Sequence, residues 1–133
     1  MKIGKAAKAS GVSARMIRYY EETGLIEPPA RTGSDYRDYR EQDVHMLRFI
    51  RRARELGFSM EQTAELVSLW RDRERASADV KRIASTHIDA LRARIQKLQD
   101  MAETLDTLAR RCHGDRRPEC PILNELDNPE ADA

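Results

Sequence analysis

The feature that most constrains this chain is a seven-residue apolar period through residues 78–111. Ala84, Leu91, Leu98 and Leu105 form one row, and Ile88, Ile95, Ala102 and Ala109 form a second. Seven residues are close to two α-helical turns, so each row keeps to one side of a helix and the two rows make a continuous stripe. A heptad period sustained this far asks for a partner helix. At about 1.5 Å per residue the helix is roughly 50 Å long. Packing of the stripe within one chain would need a second long helix, and the sequence offers none. The expectation is a homodimer formed through this helix, antiparallel.

Charged residues make up 35% of the chain and aromatics 5%. That mixture suits helices with solvated faces, and not a β-sandwich or an enzyme with a large apolar pocket. No apolar run approaches the roughly 18 residues needed to span a bilayer, and the opening residues lack a signal-peptide core, so a cytoplasmic location without membrane association is expected. The net charge is +1 but unevenly placed, with a surplus of four positive charges in residues 1–60 and three negative ones in residues 61–133. A basic front half fits a polyanionic partner.

The order of elements follows from local signals. A short helix over about 4–10 ends at Gly11, a natural left-handed stop. Ser13 reads as the N-cap of a second helix over 14–22, closed by Gly24. Two short helices around a tight glycine-containing turn form a helix-turn-helix, whose second helix would lie in the major groove. Pro28 and Pro29 forbid helix continuation. The cluster Thr32-Gly33-Ser34-Asp35 turns the chain, predicting a small hairpin, a wing, that carries Arg31, Tyr36, Arg37 and Arg40. A third helix over about 41–56 buries Val44, Leu47, Ile50 and Ala53 and stops at Gly57. Ser59-Met60-Glu61-Gln62 is a capping box for a fourth helix to Leu69 or Trp70. The charged stretch 71–76 reads as linker. Cys112 to Cys120 is a polar loop, Pro121 opens a sixth helix over about 121–126, and the tail is expected to be disordered.

On the second helix Arg15 and Arg18 share a face, while Met16 and Ile17 can turn inward. Arg18 and Tyr20 could reach bases or phosphates, and arginine suits guanine through its bidentate fork. Arg31, Tyr36 and Arg37 on the wing would clamp phosphates. The candidate DNA-binding set is Lys5, Arg15, Arg18, Tyr19, Tyr20, Arg31, Tyr36, Arg37 and Arg54. Taken singly, each also reads as a solvated or half-buried structural residue; the assembly with the basic bias favours DNA.

The chain has two cysteines, Cys112 and Cys120, with seven residues between them. This is neither a CxxC redox motif nor a zinc-knuckle pair. Two thiolates are soft ligands and select soft ions such as Cu(I). A structural zinc site wants four ligands, whereas a two-coordinate site satisfies Cu(I), Ag(I) or Au(I). One Cu(I) and two thiolates leave a single negative charge, which is costly to bury unless neutralised. The amides opening the sixth helix offer a positive dipole end. His113 reads as a surface-loop histidine, His45 and His87 as structural, and Trp70 and the five methionines as core or interface filler.

The segments Ile17-Arg18-Tyr19-Tyr20-Glu21, Gly24-Leu25-Ile26, Tyr36-Arg37-Asp38-Tyr39 and Leu56-Gly57-Phe58-Ser59 resemble the pattern of the MerR family of winged-helix activators. The resemblance spans nearly the whole chain. It implies a dimer that binds a pseudo-palindromic promoter element, engages RNA polymerase there, and activates by distorting the double-stranded DNA, a form of indirect readout. Cys112-His113-Gly114-Asp115 and Cys120-Pro121-Ile122 resemble the metal loop of the copper-responsive CueR/HmrR subgroup. The resemblance further implies that Ser77 stands where zinc- and mercury-responsive relatives carry a third cysteine, and that Lys81 of a second subunit helps neutralise the site. Ser77 is equally an ordinary helix N-cap. The implied target genes are those of copper efflux and detoxification.

The expected fold class is mainly α. A winged helix-turn-helix DNA-binding domain (1–70) and a linker (71–77) precede an antiparallel coiled-coil dimerisation helix (78–111). A metal-binding loop and short helix (112–127) and a disordered tail (128–133) complete the chain. The competing function is a thiol-redox sensor on the same scaffold, with the two cysteines forming a reversible disulfide. No catalytic triad, paired carboxylates or glycine-rich phosphate loop argues for an enzyme. The roughly 20 residues after Arg111 are expected to be too few to build an organic-ligand domain.

Overall fold

The computed structural model describes residues 1–33 and 36–128. Ser34 and Asp35 of the expected wing turn, and residues 129–133 of the expected disordered tail, lie outside them. The described elements are six helices, α1 (Ile3–Ser10), α2 (Ala14–Glu22), α3 (Glu41–Glu55), α4 (Met60–Arg71), α5 (Ser77–Arg111) and α6 (Pro121–Asp127). The chain divides into two compact units within α5, after Ala84. No described helix is long and apolar enough to cross a membrane.

In the amino-terminal unit, α1 ends where Gly11 adopts φ 76° and its N–H returns to the Ala7 carbonyl. Only glycine takes this left-handed conformation without penalty. Ser13 then caps α2, its Oγ accepting from the Met16 amide at 3.1 Å. Arg48 of α3 donates from Nε to the Ala9 carbonyl at 3.0 Å, tying the end of α1 to α3. Ser59 and Gln62 form the expected capping box at α4, with bonds of 3.1 and 2.9 Å.

The core follows from the apolar faces of these helices. Ala6, Val12, Ile17, Tyr20, Leu25, Ile26, Val44, Leu47, Ile50 and Val67 cluster with Tyr39. Each large aliphatic side chain buried here contributes about 1.5–3 kcal/mol. The expected inward face of α3, Val44, Leu47, Ile50 and Ala53, is buried throughout. Met16 does not turn inward with Ile17; it is 38% exposed. Trp70 is also half-exposed, its ring 5.3 Å from Phe49 and covered on one side by Arg75. His45 is exposed, whereas His87 is buried.

The wing is shorter than a two-stranded ribbon. One antiparallel bridge joins Arg31 to Arg37, flanked by Thr32 N–H to Tyr36 O at 2.7 Å and Asp38 N–H to Ala30 O at 2.8 Å. Pro28 and Pro29 offer no donors on the incoming arm, and Arg40 already caps α3 on the outgoing one, so the ladder has little room to grow.

In the carboxy-terminal unit, Ile88, Ile95, Leu98 and Leu105 of the heptad rows are all exposed, as is Met101 between them. A single chain therefore leaves this stripe uncovered.

Candidate nucleic-acid interface and thiol centre

The amino-terminal unit presents a cleft of about 550 Å³ lined by Lys2, Arg18, Arg31, Tyr36 and Arg37, with Ile3 and Gly4 completing it. Four cationic side chains thus converge from the start of α1, from α2 and from the wing. Lys2 Nζ sits 4.6 Å from the centroid of the Tyr36 ring, a cation–π contact. Such a cleft suits an anion with a planar or extended backbone, and a phosphodiester chain meets that description.

The sequence-derived residues fall into three groups. Arg15, Arg18, Tyr19, Arg31 and Tyr36 are exposed on α2 and the wing, and Lys5 is exposed on α1 outside the cleft. Arg37 and Arg54 carry structural bonds as well. Arg54 donates to the Phe58 carbonyl at 2.7 Å and holds the α3–α4 turn, while Arg37 Nε lies 3.3 Å from Glu21 Oε2. Tyr20 is a correction. Its side chain is 5% exposed and belongs to the core, because it lies on the same helical face as Ile17, three residues earlier.

Three residues at or beside the cleft were not singled out in the sequence. Lys2 precedes the first helix and carried no periodicity signal. Tyr39 was read only as part of a motif. Glu21 was likewise named only within a motif, yet its side chain is 3% exposed. The signal for its burial was its place four residues after Ile17 and one after Tyr20, on the buried face of α2. Its Oε1 accepts the Tyr39 phenol proton at 2.5 Å. Its Oε2 has no hydrogen-bond partner, since the nearby Arg37 Nε is close enough for a charge contact but is not aligned as a donor. Burial first, and then the Glu21 carboxylate, pushes the Tyr39 phenol well above the usual tyrosine range, so Tyr39 stays a donor.

The thiol centre lies in the carboxy-terminal unit. Cys112 follows the last turn of α5, its N–H bonded to the carbonyls of Leu108 and Ala109. Asp115 accepts from the Arg117 backbone N–H at 2.9 Å and from its Nε at 2.7 Å, closing the loop locally. Cys120 occupies the N-cap position of α6, with Pro121 in the first turn. The two sulfurs are 4.0 Å apart, both free thiols and both half-exposed. The Leu123 amide does most to lower the Cys120 pKa; burial opposes it, and the Ile122 amide and the Cys112 thiol lower it further. A backbone amide pointed at sulfur favours thiolate, the form that binds metal.

The donor set fits a soft metal ion. A thiolate–metal bond is about 2.3 Å for zinc, and the 4.0 Å gap is within twice that reach. No group of three or more His, Cys, Asp or Glu side chains is placed to hold a metal among the described residues. His113 is exposed. Ser77 is the first residue of α5, inside the helix and not its N-cap, and both Ser77 and Lys81 are exposed.

The sequence matches the family described as MerR HTH family regulatory protein over residues 1–69 and that described as MerR, DNA binding over residues 44–108. It is 61% identical over 126 residues to the HTH-type transcriptional regulator HmrR of Sinorhizobium medicae, covering 95% of this chain and 86% of the relative. It is 59% identical over 131 residues to heavy metal-dependent transcription regulator 2 of Rhizobium meliloti, covering 98% and 89%. The crystal structure of the transcription regulator PbrR691 from Ralstonia metallidurans CH34, in complex with lead(II), superimposes with a TM-score of 0.83 at 31% identity, covering 95% of this chain and 98% of that one. The helix-turn-helix, the basic cleft and these matches lead to one assignment: the chain belongs to the MerR family of helix-turn-helix transcription regulators.

Proposed function

We propose that this regulator senses Cu(I), with Ag(I) or Au(I) as alternative ions, and activates promoters as a homodimer. The observation that carries the reading is the isolated pair of sulfurs, 4.0 Å apart, in a chain with only two cysteines. Two soft donors satisfy a monovalent coinage-metal ion and underligate Zn(II). The name of one relative, heavy metal-dependent transcription regulator 2, supports a metal-responsive reading without specifying the ion.

In this reading the exposed stripe of α5 packs antiparallel on a second copy. That arrangement brings Ser77 and Lys81 of the second subunit to the thiol centre, covering the half-exposed sulfurs and offsetting their residual negative charge. The functional division is residues 1–70 for DNA, 71–77 as linker, 78–111 for dimerisation, 112–127 for metal and 128–133 as tail. Lys5, Arg15, Arg18, Tyr19, Arg31, Tyr36, Arg37 and Arg54, joined by Lys2, contact promoter DNA in the cytoplasm. Metal binding shifts the dimer toward a form that distorts the promoter for RNA polymerase at copper-efflux and detoxification genes.

Titration of the reduced protein with Cu(I) against a competing Cu(I) chelator tests the sensing step. One ion per subunit is expected, lost in Cys112→Ser and Cys120→Ser, with Zn(II) failing to compete. Tighter binding of Zn(II) or lead(II) than of Cu(I) would remove copper from the proposal. The same 4.0 Å gap also favours a second reading, closure to a disulfide. A promoter that responds to oxidant with copper chelated, and not to Cu(I), would establish that reading instead.

A further inference from the structure

We propose that Glu21 is a positioning residue for DNA binding, its buried carboxylate holding Arg37 so that the guanidinium faces a phosphodiester in the basic cleft. The proposal rests on the reading of that cleft as a DNA-backbone site.

A carboxylate on the DNA-reading helix is costly twice over. It repels phosphate, and burying it is unfavourable unless it is paired. Core stability is a weak reason to keep it, since buried ion pairs can often be replaced by apolar groups without loss. Glu21 nevertheless sits with its side chain 3% exposed, and one oxygen lacks a hydrogen bond. Its two partners come from the far side of the wing. Tyr39 donates its phenol proton to Oε1 at 2.5 Å, which fixes the carboxylate's orientation, and Arg37 Nε stands 3.3 Å from Oε2. Arg37 also lines the cleft beside Lys2, Arg18, Arg31 and Tyr36. The contact to Glu21 is through Nε, and Arg37 also lines the cleft, where the donor fork of a guanidinium suits phosphate. The carboxylate thus links α2 to the wing and sets the direction of an arginine at the wing's base. An arginine held in one geometry loses less freedom when it meets phosphate.

The test compares Glu21→Gln with the parent in binding a mixed-sequence duplex of about 40 base pairs, where phosphate contacts dominate. The glutamine keeps the shape and an acceptor for Tyr39 but removes the charge that orients Arg37. Electrostatics alone would make this variant bind more tightly, since a negative charge near phosphate is gone. Positioning requires the opposite: affinity about tenfold lower, with the salt dependence shallower by about one phosphate contact per subunit. In an Arg37→Ala background, Glu21→Gln should cause no further loss. Binding as tight as the parent's, or an equal loss with and without Arg37, would overturn the proposal. Should Glu21→Gln fail to fold, Tyr39→Phe replaces it. A loss that disappears in the Arg37→Ala background supports the proposal, and none, or one that persists there, overturns it. If Arg37→Ala itself leaves affinity unchanged, the DNA reading of the cleft falls along with this one. If Arg37→Ala weakens binding while Glu21→Gln does not, only the role of Glu21 falls.

Discussion

Cys120 owes its character to the chain that follows it. The amides of Leu123 and Ile122 point at its sulfur and lower its pKa below the ordinary thiol value of 9.0. A depressed folded-state pKa stabilises the fold at pH above the unfolded value, and that stabilisation is lost as pH falls through the folded one. In reduced, metal-free protein, the denaturation midpoint of wild type should therefore rise relative to Cys120→Ser as pH is raised toward 9.0. A difference that is flat with pH would mean the amides do not favour thiolate. The same shift lets metal compete with protons at lower pH than an unperturbed thiol would allow. Tyr20 and Glu21 make a related point about neighbours in sequence. One joins the core through its ring and the other is buried against Tyr39 and Arg37, although both sit on the second helix of the helix-turn-helix.

At the scale of elements, the helix-turn-helix depends on a turn that α3 packs against and ties at the Ala9 carbonyl. Gly11 is left-handed, and a Cβ there would collide with the Arg51 guanidinium. Gly11→Ala should cost about 1–2 kcal/mol from the backbone conformation, plus whatever it takes to move Arg51. Urea denaturation of Gly11→Ala in the parent and in an Arg51→Ala background separates the two. The collision component should vanish in the second background while the backbone component persists. Arg51 is a flexible, exposed side chain paired with Glu55, so the backbone component should dominate. Among the described residues the wing's own hairpin holds one bridge, Arg31 to Arg37. Its anchorage comes from Tyr39 in the core and from Glu21 beneath Arg37.

For the whole molecule, the decisive surface is the uncovered stripe of α5. Leu98 and Leu105 are 56% and 52% exposed, and leaving several such side chains in water forfeits about 1.5–3 kcal/mol apiece. If the proposed dimer forms through this stripe, Leu98→Glu should yield a monomer in sedimentation velocity while circular dichroism of the amino-terminal helices persists. DNA affinity should fall steeply with it, since one subunit reaches only one half-site. A Leu98→Glu protein that still sediments as a dimer would relocate the interface.

Periodicity and caps were enough to read the helices from the chain alone, because 3.6-residue faces, Ser13, Ser59 and the glycine stops are local signals with local causes. The pairing of Cys112 with Cys120 was legible for the same reason, as the loop between them is short. What the sequence could not display is which polar side chains face inward. Tyr20 was taken for a DNA contact and Lys2 was overlooked, and the burial of Glu21 against Tyr39 and Arg37 emerged only when α2 and the wing were folded together. The partners of Glu21 lie 16 and 18 residues away along the chain. Its placement was decided by the tertiary fold because a carboxylate survives burial only where distant partners are brought to meet it.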